Sequence, residues 1–193
     1  MRKMTKQIRF ALTLVAAIGA LACAGVSPAA AEDKTPDVVY VPTPNDVVAR
    51  MLKVAGVKRG DVVYDLGCGD GRIVVTAARK FGCKGIGFDI NPVRIKESLA
   101  LVKRYKVGKL VQIKNKNIFK VDLSKASVIT LYLLPELNLK LVKQFNKMKP
   151  GSRIVSHEYA MKGYKPDKTI EFKSREDNAE HTIYLWTIPL KKE

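Results

Sequence analysis

The stretch Val62-Val63-Tyr64-Asp65-Leu66-Gly67-Cys68-Gly69-Asp70-Gly71-Arg72-Ile73-Val74-Val75-Thr76-Ala77-Ala78 decides the fold. The apolar run Val62 to Tyr64 reads as a buried parallel strand, and an apolar segment of helical character opens at Arg72. Strand, glycine turn and helix together begin a βαβ unit, which places a ligand site at the carboxyl end of the strand. The spacing Asp-x-Gly-x-Gly-x-Gly differs from the Gly-x-Gly-x-x-Gly of dinucleotide sites. Gly67, Gly69 and Gly71 offer a surface without Cβ atoms, against which a ligand can lie flat, and access to positive φ. A second strand, Lys84 to Asp89, ends in an acid 18 residues beyond Gly71, where nucleoside-binding α/β folds use a carboxylate to accept ribose hydroxyls. Two structural alternatives stand beside these roles. Asp70 is expected as the N-cap of the following helix, and Asp89 before Asn91-Pro92 also fits a helix cap with proline in the first turn.

Working outward, Val38-Val39-Tyr40-Val41-Pro42-Thr43-Pro44 is an extended segment, because each proline fixes its own φ and biases its predecessor toward extended geometry. A helix capped by Asn45 or Asp46 follows, with Val47, Val48, Met51, Leu52 and Ala55 on its apolar stripe. Beyond the second strand come a helix from Pro92 to about Tyr105, a strand at Leu110 to Lys114 and a strand at Ser127 to Tyr132. A helix from Pro135 to Met148 and a strand at Ser152 to Glu158 complete the alternation. Two further strands, near Thr169 to Lys173 and His181 to Ile188, have no helix between them. This order predicts an α/β fold whose sheet is mostly parallel and closes with a C-terminal antiparallel hairpin.

The first 31 of 193 residues carry a different signature. Arg2, Lys3, Lys6 and Arg9 precede the apolar run Phe10 to Val26, and Ala29-Ala30-Ala31 ends in small residues before Glu32-Asp33. That is the order of a secretory signal peptide cleaved after Ala31; an uncleaved membrane anchor is the alternative. The expected organisation is a signal peptide at 1–31, an extended leader at 32–44 and a catalytic domain at 45–193, with export to the periplasm or beyond. Loss of four cations and no acid lowers the net charge from +17 to +13. Ten cations lie between Arg94 and Lys125, against Glu97 and Asp122. Such a strip attracts an acidic protein, nucleic acid or anionic lipid, although only Tyr105 and Phe119 interleave its cations, fewer aromatic residues than in many strand-binding platforms. Cys68 and Cys83 are expected as free thiols. No metal site is expected, since His157 and His181 are few and widely separated in the chain.

The glycine motif resembles the S-adenosylmethionine (SAM) site of seven-stranded methyltransferases. SAM carries an amino acid end and no phosphate, so Asp65 would meet its ammonium and the helix-start amides its carboxylate. Tyr40-Val41-Pro42-Thr43-Pro44, the glycine motif, Leu131-Tyr132-Leu133-Leu134 and Val155-Ser156-His157-Glu158 together resemble the small archaeal broad-specificity protein-lysine methyltransferases. Mitochondrial enzymes that methylate the ATP-synthase c-ring protein are of the same family. The resemblance implies a Rossmann-like seven-stranded methyltransferase sheet, SAM as methyl donor and protein lysines as acceptors. Carried over by position, Asp65, Gly67 and Gly69 would hold the methionine end, Asp89 the ribose and Asn117 the adenine amino group, with Cys68, Ile90 and Leu133 also against the cofactor. Tyr40 and Thr43 would lie across the cofactor, while Leu133 and Leu134 would border the acceptor channel. Tyr132, Tyr159 and His157 would orient the amine and Glu158 would attract it or relay its proton; core packing is the alternative for these residues. Methylation of RNA or a small molecule, and a non-catalytic binding module, are the competing functions.

Overall fold

The computed structural model describes residues 39–193. The signal peptide expected at 1–31 and residues 32–38 of the expected leader lie outside the described residues. Among those described, no helix is long and apolar enough to cross a membrane.

Continuous apolar runs form strands buried on both faces, and stripes of apolar residues form the helices that cover them. In chain order these are α1 (Asn45–Val54), β1 (Val62–Leu66), α2 (Arg72–Phe81), β2 (Lys84–Asp89), α3 (Pro92–Arg104) and β3 (Val111–Asn115). A single 3-10 turn, Ile118–Lys120, leads to β4 (Val128–Leu131), α4 (Pro135–Phe145), β5 (Arg153–His157), β6 (Lys168–Lys173) and β7 (Glu180–Thr187). The sheet order is β3-β2-β1-β4-β5-β7-β6. β1 pairs in parallel with β2 and β4, and β5 extends that parallel set. β7 runs antiparallel to both β5 and β6, so the tail hairpin expected from the sequence docks through its second strand. The order in which strands are laid across the sheet reverses between the parallel neighbours β1 and β4, and the carboxyl ends there form the crevice where open α/β sheets bind ligands.

The core lies on both faces. On one, α1 and α2 seal Val63, Val128 and Val155 of the central strands. On the other, Leu141 and Phe145 of α4 pack on Leu66, Ile129, Leu131 and Ile154. α3 leans on α2 and β3 through Val102, Val74 and Val111. At the amino ends of the strands, Asp61 joins three segments: it accepts from Ser127 Oγ at 2.7 Å and Lys58 N at 2.9 Å, and pairs with Arg153. Burial opposes its charge, but those donors and the Arg153 guanidinium outweigh that and hold its carboxyl below the usual range.

Two capping expectations are corrected. Pro44, not Asn45 or Asp46, occupies the N-cap of α1; Asn45 is the first helical residue, and Asp46 in the first turn accepts from Val47 N at 2.9 Å as well as from Ser174 Oγ and Arg175 N. Pro44 is held there by the rigid leader, which pre-sets φ for the helix start. Gly71 in the left-handed conformation, φ +79°, is the N-cap of α2 rather than Asp70, because the tight turn needs positive φ one residue later. For α3, Asn91 is the cap, accepting from Val93 N at 2.9 Å with Pro92 beside it, so Asp89 is left for another task.

Candidate active site

The crevice is floored by the turn between β1 and α2. Gly67 and Cys68 both donate their N–H to the Phe88 carbonyl at 2.9 Å, which continues the β1–β2 pairing into the turn. Asp89 pins the far side: its Oδ2 accepts from Gly69 N at 2.9 Å and its Oδ1 from Asn91 N at 2.8 Å. The carboxylate at the second strand tip thus shapes the turn, and each oxygen retains a lone pair for a further donor. Half-buried Ile90 follows it. Cys68 is buried against Gly87, and a Cβ on Gly87 would lie 2.7 Å from its sulfur. Burial, and secondarily Asp65 and Asp89, push this thiol far above its ordinary range, so it packs rather than reacts. Both described cysteines are free, as expected.

Asp65 is the informative residue. Only 2% exposed, it accepts from Thr130 Oγ1 at 2.7 Å through Oδ1, while Oδ2 is buried without any hydrogen-bond partner. Burial pushes its carboxyl up to about 7, opposed by the Thr130 bond and aided by the nearby charges of Asp89 and Asp70. An orphaned buried carboxylate oxygen is costly unless a cationic donor meets it. An amino acid ammonium beside a glycine turn is such a donor, so the residues present fit the methionine end of SAM.

The leader closes over this turn. Tyr40 lies directly on Gly69, where any Cβ would overlap its ring, and the Arg94 guanidinium stacks 4.5 Å from the ring centroid. Arg72 staples leader to turn: it forms a bidentate pair with Asp70, the closest contact 2.7 Å, and donates through Nη1 to the Thr43 carbonyl at 2.7 Å. Thr43 does not lie open above the crevice; it is buried, with Oγ1 3.2 Å from His157 Nδ1. Leu133 is buried over the turn, its Cδ2 3.1 Å from where a Gly67 Cβ would sit, and Leu134 is exposed at the start of α4. Asn117 caps the 3-10 turn, accepting from Phe119 N at 2.9 Å.

At the ends of β4, β5 and β7 the chain gathers a second group. The His157 ring packs 4.1 Å from that of Tyr132, which in turn stacks on Tyr159 at 6.0 Å. His157 Nε2 lies 2.9 Å from His181 Nδ1 and 3.2 Å from Glu158 Oε1, and the latter is 2.8 Å from His181 Nδ1. Burial lowers the His157 imidazole to about 4, against the pull of Glu158. For His181, burial is outweighed by hydrogen bonds to Asp177 and Glu158, and its imidazole is raised. Glu158 adopts φ +63°, a left-handed conformation uncommon for a residue with a Cβ, which turns its carboxylate back toward the imidazoles. The expectation that His157 and His181 are too scattered to meet is therefore corrected. Antiparallel pairing sets His157 opposite Ile183, and His181, two residues along β7, falls on the same face.

A parallel sheet with this switch point, a glycine turn and an orphaned acid at the first strand tip defines a SAM-dependent methyltransferase. The chain belongs to the ANTKMT methyltransferase family, whose domain model matches residues 65–168. It is 46% identical over 155 residues to a protein-lysine N-methyltransferase of Saccharolobus islandicus (strain REY15A), covering 79% of this chain and 95% of that protein. It is 29% identical over 156 residues to the lysine N-methyltransferase of the human ATP synthase c-subunit, covering 80% of this chain and 64% of that one. Among solved structures, an RNA methyltransferase from Salinibacter ruber in complex with S-adenosyl-L-homocysteine superposes with a TM-score of 0.72 at 44% identity, over 77% of this chain and 94% of that one.

Proposed function

We propose that the enzyme methylates lysine side chains of a protein substrate with an acidic surface. The observation that carries this is the aromatic and anionic wall beside the glycine turn. Tyr132 and Tyr159 stack in parallel, Glu158 stands next to them, and Tyr132 is followed directly by Leu133 on Gly67. A cationic amine is guided by π faces and a carboxylate, and loses its proton more readily once apolar neighbours exclude water. SAM, when bound, supplies an electrophilic methyl group on a sulfonium. Asp65 would then hold the ammonium of the amino acid end, Asp89 would meet the ribose, and Tyr40 would lie across the bound cofactor. Leu133 keeps water from the reacting centre, and Tyr132 and Tyr159 align the amine. His157, 1% exposed behind Tyr132, is a positioning residue that fixes that ring. Alignment rather than covalent chemistry is the main lever for a displacement of this kind.

The relatives methylating lysines support this reading, and the cations between Arg94 and Lys125 support an acidic partner. A second reading, RNA as acceptor, is favoured by the Salinibacter structure and the same basic strip. Incubation of the enzyme with radiolabelled SAM and either cell-envelope protein or total RNA separates the two. Label on lysines supports the first; label on RNA alone overturns it. We also propose that residues 1–31 direct export. Amino-terminal sequencing of the protein recovered from a periplasmic fraction tests this, with a start at Glu32 as the expected result.

A further inference from the structure

The cluster at the ends of β5 and β7 contains the only two histidines of the chain. His157 Nε2, His181 Nδ1 and Glu158 Oε1 form a closed triangle with edges of 2.9, 2.8 and 3.2 Å. Hydrogen bonding does not account for all three edges. The outer nitrogen of His181, Nε2, faces the Asp177 carboxylate at 3.1 and 3.3 Å, and a carboxylate accepts only, so that nitrogen carries a hydrogen. The outer nitrogen of His157, Nδ1, is engaged by Thr43 Oγ1. Where the Thr43 hydroxyl accepts from His157 Nδ1, both neutral imidazoles turn lone pairs inward, toward a carboxylate oxygen with lone pairs of its own; where it donates, a single hydrogen on His157 Nε2 points into the triangle. One added proton bridges one edge in a straight line and leaves two edges as facing acceptors; two added protons leave the imidazoles as facing donors.

A single cation at the centre satisfies every edge. Its size follows from the spacing. Three acceptors around a lysine ammonium, each about 2.8 Å from the nitrogen and spread at tetrahedral angles, would stand roughly 4.5 Å apart. Ligands held at about 2.0–2.2 Å from a metal ion stand about 2.8–3.1 Å apart on one face of an octahedron and about 3.3–3.6 Å apart at the corners of a tetrahedron. The observed triangle has the spacing of an octahedral face. Its surroundings match as well, because a carboxylate and a hydroxyl on the outer nitrogens fix tautomer and ring orientation in the manner usual behind metal-bound histidines. The left-handed backbone at Glu158 delivers the third ligand, and the side chains of Glu158 and Asp177, 29% and 41% exposed, leave a way in from solvent.

We propose that His157, Glu158 and His181 form a binding site for one divalent first-row transition-metal ion, such as zinc or cobalt, with Thr43 and Asp177 as its outer support. Two imidazole ligands favour these ions over magnesium or calcium, which prefer all-oxygen sites. The site shares Glu158 with the proposed path of the amine, and its test, run without SAM or acceptor, does not depend on that reading. The full-length enzyme, freed of metal with a chelator, is titrated with cobalt(II) chloride while binding heat and visible absorption are followed. One equivalent should bind, giving ligand-field bands without thiolate charge-transfer absorption. His181→Ala and Glu158→Gln should weaken binding at least 100-fold. Asp177→Asn and Thr43→Val, which keep all three ligands, should weaken it about 10-fold. Thermal melting checks that each variant is folded. Absence of saturable uptake by the folded wild-type enzyme overturns the proposal, as does uptake that His181→Ala leaves unchanged or that carries thiolate bands.

Discussion

Asp65 has a single good hydrogen bond for two carboxylate oxygens, and the pH behaviour of the enzyme should follow from that deficit. Its folded pKa, about 7, exceeds the ordinary 3.8, so the folded SAM-free protein holds a proton that the unfolded chain has released. The sign is therefore opposite to that of most acids: stability without SAM falls as pH rises from about 4 to 7, on the order of 4 kcal/mol in all. SAM binding requires the charged form, so its dissociation constant should rise about tenfold for each pH unit below 7 and level off above. Asp65→Asn, which keeps the Thr130 acceptor, should bind SAM roughly 100-fold more weakly with no pH dependence in this range, measured by calorimetry. This residue was legible from sequence because the strand, its terminal acid and the glycines are neighbours in the chain. The triangle of His157, Glu158 and His181 was not, because only the β5–β7 register brings residues 24 positions apart onto one face.

The strands and helices were readable to within a few residues, since most combine a clear apolar period with a glycine or proline close to one border. Their ends were less so. Which residue caps α1 and α2 depends on how the leader is fastened down, and that fastening is a long-range matter of Arg72 reaching Thr43. Arg72→Ala removes both the Asp70 pair and the bond to the leader carbonyl. It should leave the core intact, lower stability by about 1–2 kcal/mol and weaken SAM binding about tenfold, with hydrogen exchange near residues 39–44 accelerated. At the amino ends of the strands, Arg153→Met removes the cation that neutralises the buried Asp61 carboxylate and leaves it only Ser127 Oγ and Lys58 N as donors. A loss of about 3 kcal/mol in urea unfolding is expected at neutral pH. That loss should shrink in acid, because Asp61, held below the usual carboxylate range, contributes stability at higher pH that disappears as it is protonated.

At the scale of the molecule, charge is asymmetric. The basic strip follows α3 and the β3 edge of the sheet, where exposed lysines also discourage edge-to-edge pairing. If an acidic partner is drawn to it, methylation of that partner should slow steeply with added salt through KM, while kcat changes little. With 25 lysines in the chain, the enzyme should also methylate itself slowly; intact mass that is unchanged after long incubation with SAM would count against an accessible amine site.

The ring of Tyr40 fills the space above Gly69, pressed there by Arg94. A donor molecule that is to lie on that glycine has to evict the ring first, and the spent donor has to wait for the same hatch to reopen. Movement of the leader therefore stands between the enzyme and both donor entry and product release. Trimming the ring to alanine should admit and release the nucleoside faster in stopped-flow traces, with departure gaining more than arrival.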